Sequence, residues 1–279
     1  MKLKIATYNI HKGVSAFGRK ARIHGLKEAI SLLDADLVFL QEVQGQHDYH
    51  AENHTRWPEM GQDAFIAGDT HEVAYGMNAV YQHGHHGNAL LSRFSISSSY
   101  NHDVSDHAYE QRGILHVVIR LGSLDVHCFV IHLGLFATSR RRQVQALIKE
   151  IQSNLPADAP LIIAGDFNDW SKGLSQTLYQ ELGVREAFDG ERAQSGSLLS
   201  LSGMRGLMPQ PRFKHAHTFP VEMPCLCLDR VYLRGFEVEQ AKVLRGAPWT
   251  TLSDHLPILV TLDFSSAIAA AMAAKASSA

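Results

Sequence analysis

Apolar runs of strand length recur along this chain, and several of them end in Asn, Glu, His or Asp. Leu37-Val38-Phe39-Leu40 passes into Gln41-Glu42, and Leu161-Ile162-Ile163-Ala164 passes into Gly165-Asp166-Phe167-Asn168-Asp169. A short continuous apolar run buries itself in a sheet, and the residue just past it emerges at the sheet edge. Residues 3–9 predict a strand. Ile23, Leu26, Ile30 and Leu33 recur at helical spacing and predict an amphipathic helix over 22–34. A buried strand over 37–41 follows, then a polar, irregular stretch over 44–63. Short strands are predicted near 77–81, 88–92, 95–101, 113–121 and 124–132. A helix runs from Thr138 or Ser139, either of which can cap it, to about Asn154, where Leu155-Pro156 ends it. A strand over 160–165 leads to Asp169, which can cap a following helix. Residues 189–217, rich in Gly, Ser, Pro and Arg, read as a long surface loop near the site. Strands are predicted again over 226–233, 236–244 and 257–263. Short strands mixed with about three helices predict an α/β protein with its helices outside.

Composition narrows this picture. Hydrophobic side chains make up 45% of 279 residues, enough for a sizeable core. The polar strand ends are spread from Asn9 to His255, so dividing the chain would divide the set they form. One domain over 1–265 is expected, with an alanine-rich tail over 266–279 read as frayed helix or disorder. The formal net charge is −2 and the isoelectric point about 6.8. A dedicated duplex-DNA binder carries a basic face, so this charge weighs against a nuclease without excluding one. Cys128, Cys225 and Cys227 give an odd number and no disulfide framework. Cys225 and Cys227 alternate along a predicted strand, which suits packing. No apolar signal segment precedes Leu3, and no apolar run reaches the ~20 residues needed to span a bilayer. A reducing cytoplasm is the expected location.

Six strand ends offer Asn9, Glu42, His132, Asp166 with Asn168, Asp229, and Asp254 with His255. None offers Cys. Oxygen donors with histidine suit a hard cation and a proton-transfer group, and so the metal-assisted hydrolysis of a phosphate ester. Each residue alone has a plainer reading. Glu42 can pair with an arginine, Asn9 can form a turn, and Asp166 or Asn168 can make an Asx-turn. A histidine, one of 17, is more often a surface or packing residue. Asp166 and Asn168, at i and i+2 on an extended segment, point the same way. Asp229 and Arg230 point to opposite faces of their strand. Arg112, before an apolar strand, is a candidate phosphate fork, with a rim salt bridge as the alternative. Arg140, Arg141 and Arg142 read as a solvated helix face. His83, His85 and His86, in a loop expected at the site mouth, read as exposed residues of a glycine-rich turn, with an extra transition-metal site or a substrate-headgroup contact as the sharper alternatives.

Seven segments in order, TYNIH, LQEV, GNALLSR, IHLGL, GDFND, LDRVYL and SDHLPI, resemble the endonuclease/exonuclease/phosphatase superfamily. That group includes pancreatic-type deoxyribonucleases, abasic-site endonucleases, bacterial sphingomyelinases and inositol-polyphosphate phosphatases. The resemblance spans residues 3 to about 263. It implies a four-layer α/β (α+β) sandwich, two packed mixed β-sheets flanked by helices, with the site at one end. It further implies Mg²⁺ or Mn²⁺ on Glu42, Asn9 and Asp254. Asp166 would activate water, with Asn168, His132, Asp229 and His255 as the other catalytic groups. Asn9, Asn88 and Arg112 would contact substrate. A nuclease-like phosphodiesterase is the reading. The alternative is a phospholipid or inositol-phosphate phosphoesterase, because YNIHKG, GNALLSR, HLGL and GDFNDW look closest to small bacterial members that resemble enzymes of lipid-anchor remodelling. A non-catalytic phosphate- or partner-binding domain is the rival from another class, and the intact acid and histidine set argues against it. The substrate is expected to be a nucleic acid or a lipid or inositol headgroup. A monomer without a dedicated protein partner is expected.

Overall fold

A computed structural model of the chain describes residues 2–15, 18–107, 109–170, 173–189, 216–265 and 268. The expected loop over 189–217 and the alanine-rich tail lie almost wholly outside the described residues. The chain begins with β1 (Lys2–Asn9), α1 (Ile23–Leu33), β2 (Leu37–His47) and two short helices, α2 (Asp48–Asn53) and α3 (Gln62–Ala67). Then come β3 (Glu72–Tyr81), β4 (Gly84–Ser92), β5 (Ile96–Asp103), β6 (Gly113–Leu121) and β7 (Leu124–His132). α4 (Ala137–Asn154), β8 (Leu161–Asp166), α5 (Leu174–Leu182) and β9 (Arg185–Glu186) follow, with β10 (Asp229–Arg234), β11 (Phe236–Val243) and β12 (Ile258–Phe264) last. The strands form two six-stranded sheets, ordered β11-β12-β1-β2-β4-β3 and β5-β6-β7-β8-β10-β9. Both are mixed: β1–β2 and β7–β8 pair in parallel, while β1–β12 and β8–β10 are antiparallel.

Strand alternation sorts the side chains into four layers. Leu3 and Ile5 of β1, Leu37 and Phe39 of β2, Cys128 and Val130 of β7, and Ile162 and Ala164 of β8 meet between the sheets. Ala6 and Tyr8 face the other way, onto Ile23, Leu26 and Ile30 of α1. Phe129, Ile131 and Ile163 pack beneath Val144, Leu147 and Ile151 of α4 and Leu178 of α5. The helices therefore cover the two outer faces, as the apolar stripe of α1 predicts.

Some local expectations differ. The stretch after Leu40 continues β2 through a bulge between Leu40 and Val43 before α2 and α3 form. α4 starts with Phe136 at its N-cap and no side-chain cap. Ser139 instead donates its hydroxyl to Asp106 at 2.6 Å, so the expected cap is diverted into a loop contact. Cys225 and Cys227 precede β10 instead of alternating along it. His85 and His86 lie within β4, paired with β2 and β3, and not in an exposed turn. Arg140 is buried and donates to the carbonyls of Gly134 and Leu135, so the arginine run is not wholly a solvated face.

Candidate active site

The inward faces of the central strands β1, β2, β7 and β8 are apolar along most of their length and turn polar at one end. Beyond the apolar layer, Thr7, Gln41 and Asn88 form a buried polar layer. Gln41 Nε2 donates to Thr7 Oγ1 at 3.3 Å, and Asn88 Nδ2 donates to the carbonyls of Gly113 and Val130 at 3.0 and 3.3 Å. One strand position further, Asn9, His132, Asp166 and Asp229 emerge from β1, β7, β8 and β10. Asp166 faces His132 across the parallel β7–β8 pair and Asp229 across β8–β10. A cleft of about 240 Å³ opens there, lined by Asn9, Glu42, Arg112, His132, Asp166, Asn168 and His255. Leu135, Trp170, Phe219 and Leu228 complete its wall.

Asp166 is the hub. Its Oδ2 accepts from Asn9 Nδ2 at 3.2 Å and lies 3.7 Å from His132 Nε2 and 3.8 Å from His255 Nε2. Its Oδ1 accepts from Asn168 N at 2.9 Å, the Asx-turn that the sequence allows. Asn168 donates Nδ2 to Leu133 O at 2.9 Å and lines the same wall as Asp166, as their i, i+2 spacing predicts. Burial raises the Asp166 carboxyl to about 6, against the opposing charge of His255 and with help from Asp229. His255 Nδ1 is 2.8 Å from Asp229 Oδ2, which also accepts from Thr218 Oγ1 at 2.6 Å. Burial opposes the charge on His255, but the charge and hydrogen bond of Asp229, then Asp166 and Asp254, raise it to about 10. His132 goes the other way. Burial, then Arg112, His86 and His255, hold it well below the ordinary histidine value. One imidazolium thus stands between two buried carboxylates, beside a neutral imidazole.

Glu42 reaches the cleft from the β2 bulge with φ +56°, a left-handed conformation that a non-glycine residue adopts at a cost. His11, Lys12 and Asn168, also at positive φ, share its neighbourhood. Strain gathered this way marks functional sites. The Glu42 carboxylate accepts no hydrogen bond among the described residues, and its ion-pair partner there is Lys12, whose Nζ is 3.9 Å away. A partly exposed carboxylate in this state, beside other oxygen donors, fits a hard cation. Asn9 Oδ1 already accepts from His11 N at 3.1 Å. Asp254 is turned into the adjoining depression, where its Oδ1 meets His11 Nδ1 at 3.1 Å. A second donor set, Asp166, Asp229 and His255, is fully buried and also close enough to hold a metal ion.

The geometry thus gathers Asn9, Glu42, Arg112, His132, Asp166, Asn168 and His255 in one cleft, with Asp229 behind His255. Two expected contacts depart from it. Asn88 sits one layer deeper, with no exposure and its amide hydrogens on backbone carbonyls, and it is His86, two residues earlier on the same face of β4, that comes near Glu42, Arg112 and His132. Asp254 is held away by His11. Arg112 donates Nε to Leu133 O at 3.3 Å and has Nη2 3.6 Å from Glu110 Oε1, so both a cleft position and a rim pairing are realised. Arg230 is fully buried on the far side from Asp229, 3.2 Å from Asp169, which also accepts from Leu174 N at the start of α5.

The profile of the Endonuclease/Exonuclease/phosphatase family matches residues 6–255, the span that contains every one of these positions. The chain belongs to that family. Endonuclease/exonuclease/phosphatase members are hydrolases acting on phosphoester bonds, and membership supports a phosphoesterase or nuclease-like hydrolase. The chain is 38% identical over 259 residues to the uncharacterized protein YbhP of Escherichia coli K12, covering 91% of this chain and 94% of that one. Among solved structures it resembles an endonuclease/exonuclease/phosphatase protein of Beutenbergia cavernae, with a TM-score of 0.69 and 19% identity over 95% of this chain and 72% of that one. It also resembles D. rerio TDP2 complexed with a single-strand DNA product, with a TM-score of 0.64 and 17% identity over 94% and 99% of the two chains. These structural likenesses show the fold, the two-sheet sandwich of the family.

Glu110 and Thr218 escaped the sequence reading. Glu110 Oε1 accepts from Leu135 N at 2.9 Å and stands beside Arg112. Thr218 fixes Asp229. Both lie outside periodic elements. Glu110 carried a weak signal in its place two residues before Arg112, and Thr218 carried none.

Proposed function

We propose that this chain is a Mg²⁺- or Mn²⁺-dependent phosphodiesterase that cleaves its substrate by in-line attack of water. The observation that carries the proposal is the place of Asp166: a buried carboxylate at the end of β8, lining the cleft, held by Asn9 and within 4 Å of His132 and His255, with burial raising its basicity. A general base works best near the operating pH. Asp166 takes the proton of water at Oδ2, and Asn9 Nδ2 holds that oxygen in place. Protonated His255, oriented by Asp229, donates from Nε2 to a phosphate oxygen. Asn168 and the Arg112 guanidinium bind the other equatorial oxygens, so charge that builds during attack meets fixed donors. As the water oxygen bonds to phosphorus the ester P–O bond breaks, and the departing oxygen, positioned by neutral, buried His132, takes its proton from solvent at the cleft mouth. The cation would sit on Glu42, with Asn9 beside it and Asp254 acting through His11, and it supplies Lewis-acid polarisation of the phosphate.

The nuclease-like form of this reading draws support from the single-strand DNA product held by D. rerio TDP2. The exposed Leu135 and Trp170 in the cleft wall favour a second reading, a lipid-linked phosphate whose apolar part lies against them. Inositol phosphates belong to that second reading through the headgroup. The free thiols Cys128, Cys225 and Cys227 support a reducing compartment such as the cytoplasm. No helix among the described residues is long and apolar enough to cross a membrane.

The test is hydrolysis of bis-p-nitrophenyl phosphate and p-nitrophenyl phosphate with EDTA, Mg²⁺ or Mn²⁺. The proposal expects diester turnover that EDTA abolishes and either metal restores, and a Glu42→Gln variant that needs more metal for half-maximal rate. Turnover that survives exhaustive chelation rejects the metal. Comparison of a single-stranded oligonucleotide with phospholipid vesicles then separates the two substrate classes.

A further inference from the structure

A second group of ligating side chains meets away from the cleft, on the outer face of β5, β6 and β7 beside α4. His102 on β5, His116 on β6 and Glu150 on α4 each offer one ligating atom, and the three atoms lie within 4.8 Å of one another. Alternation explains the placement. Leu115, Val117 and Cys128 point between the sheets, so His116 and His127 point outward. Leu147 and Ile151 of α4 pack onto the sheet and carry Glu150 with them.

The plain reading is an ion pair, since His102 Nε2 is 3.5 Å from Glu150 Oε1. That reading leaves His102 Nε2 buried with no hydrogen-bond partner, a cost that native proteins rarely accept. The neighbouring imidazole is also prepared for a cation. His127 Nδ1 lies 3.0 Å from His116 Nε2, the kind of orienting partner that metal-bound imidazoles carry.

We propose that His102, His116 and Glu150 form a binding site for a divalent transition cation, best matched by Zn²⁺, with His127 orienting His116. Two imidazoles and one carboxylate are a borderline donor set that suits Zn²⁺ over the hard cation of the cleft. Zn–N and Zn–O distances of about 2.0–2.2 Å require the three side chains to draw together around the ion. The adjoining surface cavity of about 350 Å³, lined by His102 and Glu150, gives an entry path and room for water as the fourth ligand. The ion would clip β5, the edge strand of its sheet, to α4, the helix that begins just after the loop following His132.

The experiment uses full-length protein stripped with a chelator, desalted and dialysed against Zn²⁺; zinc held elsewhere, the cleft included, is common to the proteins compared and cancels between them. Bound zinc is measured for the wild type, Glu150→Gln and His102→Asn, with circular dichroism as the folding control. The wild type should hold one more tight equivalent than either variant, whose affinity at this position falls by about tenfold or more. Zn²⁺ should raise the melting temperature of the wild type more than that of the variants. Both altered side chains are partly exposed. Should one variant melt low when stripped, the other carries the comparison. Equal stoichiometry and affinity in all three proteins, or no tight zinc in the wild type, overturns the proposal.

Discussion

His255 and His132 both lie within 4 Å of Asp166, yet they are held in opposite charge states. The difference is their partners: His255 has Asp229 at 2.8 Å, while His132 faces Arg112 and His86. If His255 donates to phosphate as an imidazolium, activity falls as pH rises through its value of about 10 and, on the acid side, as Asp166 gains a proton near 6. Asp229→Asn removes the charge that does most to hold the proton on His255. The alkaline limb of kcat/KM should then move down toward the ordinary histidine value, and an unchanged limb would remove His255 from that role. His132→Ala and His255→Ala should each lower kcat by about 10²-fold or more, the scale of a positioned donor. His85→Ala should do far less. The meeting of these residues was legible because each ends an apolar run in inward phase. Asn88 shares that phase but stops one layer short, which no single-strand pattern can show. Thr218 and Glu110 act through single contacts from loops, where there is no period to read.

The strands deliver these side chains only because the backbone of two of them departs from ordinary strand geometry beside the cleft. β2 does so at Glu42, through a bulge invisible to hydrophobic periodicity, and β8 does so at Gly165. Gly165 has φ +145°, and a Cβ there would lie 2.0 Å from Ile131 O on the neighbouring strand β7. Gly183, at the end of α5, has φ +64° with nothing within 4 Å of its Cβ position. Gly165→Ala should therefore cost about 2 kcal/mol or more, by steric conflict with backbone that cannot move away. Gly183→Ala should cost about 1 kcal/mol, the left-handed penalty alone. Denaturant melts of the two variants check this, and equal losses would contradict it. Strand and helix identities for β1, α1, β6, β7, α4 and β8 followed from pattern, since burial on one face dominates their sequences. The caps did not, because Ser139 was taken by Asp106.

At the scale of the molecule, histidine protonation sets the acid side of stability. His50, His86 and His116 are each lowered to about 4 by burial, and His47, His127 and His132 are lowered as well. A histidine depressed in the folded state binds its proton first when unfolded, so its contribution is present above about 6.5 and lost as pH falls toward 4. Asp63, Asp166 and Glu186, raised by burial, oppose this with fewer groups. His255 acts at the other end, its contribution full below about 6.5 and lost as pH rises through 10. Urea midpoints should peak near pH 6.5 and fall on both sides, and a flat profile would contradict the buried neutral histidines. The two-sheet architecture was legible from motif order, whereas the convergence of β1, β7, β8 and β10 on one carboxylate needed the register between strands. That convergence makes Asp166 the base of the cleft, and replacing it by Asn tests this. Asn keeps the Asx-turn and the shape but cannot accept a proton from water. kcat on a generic diester at saturating metal should collapse by about 10²-fold or more while the thermal melt stays near that of the wild type. A folded variant with near-normal kcat would show that Asp166 only shapes the turn, and would contradict the account.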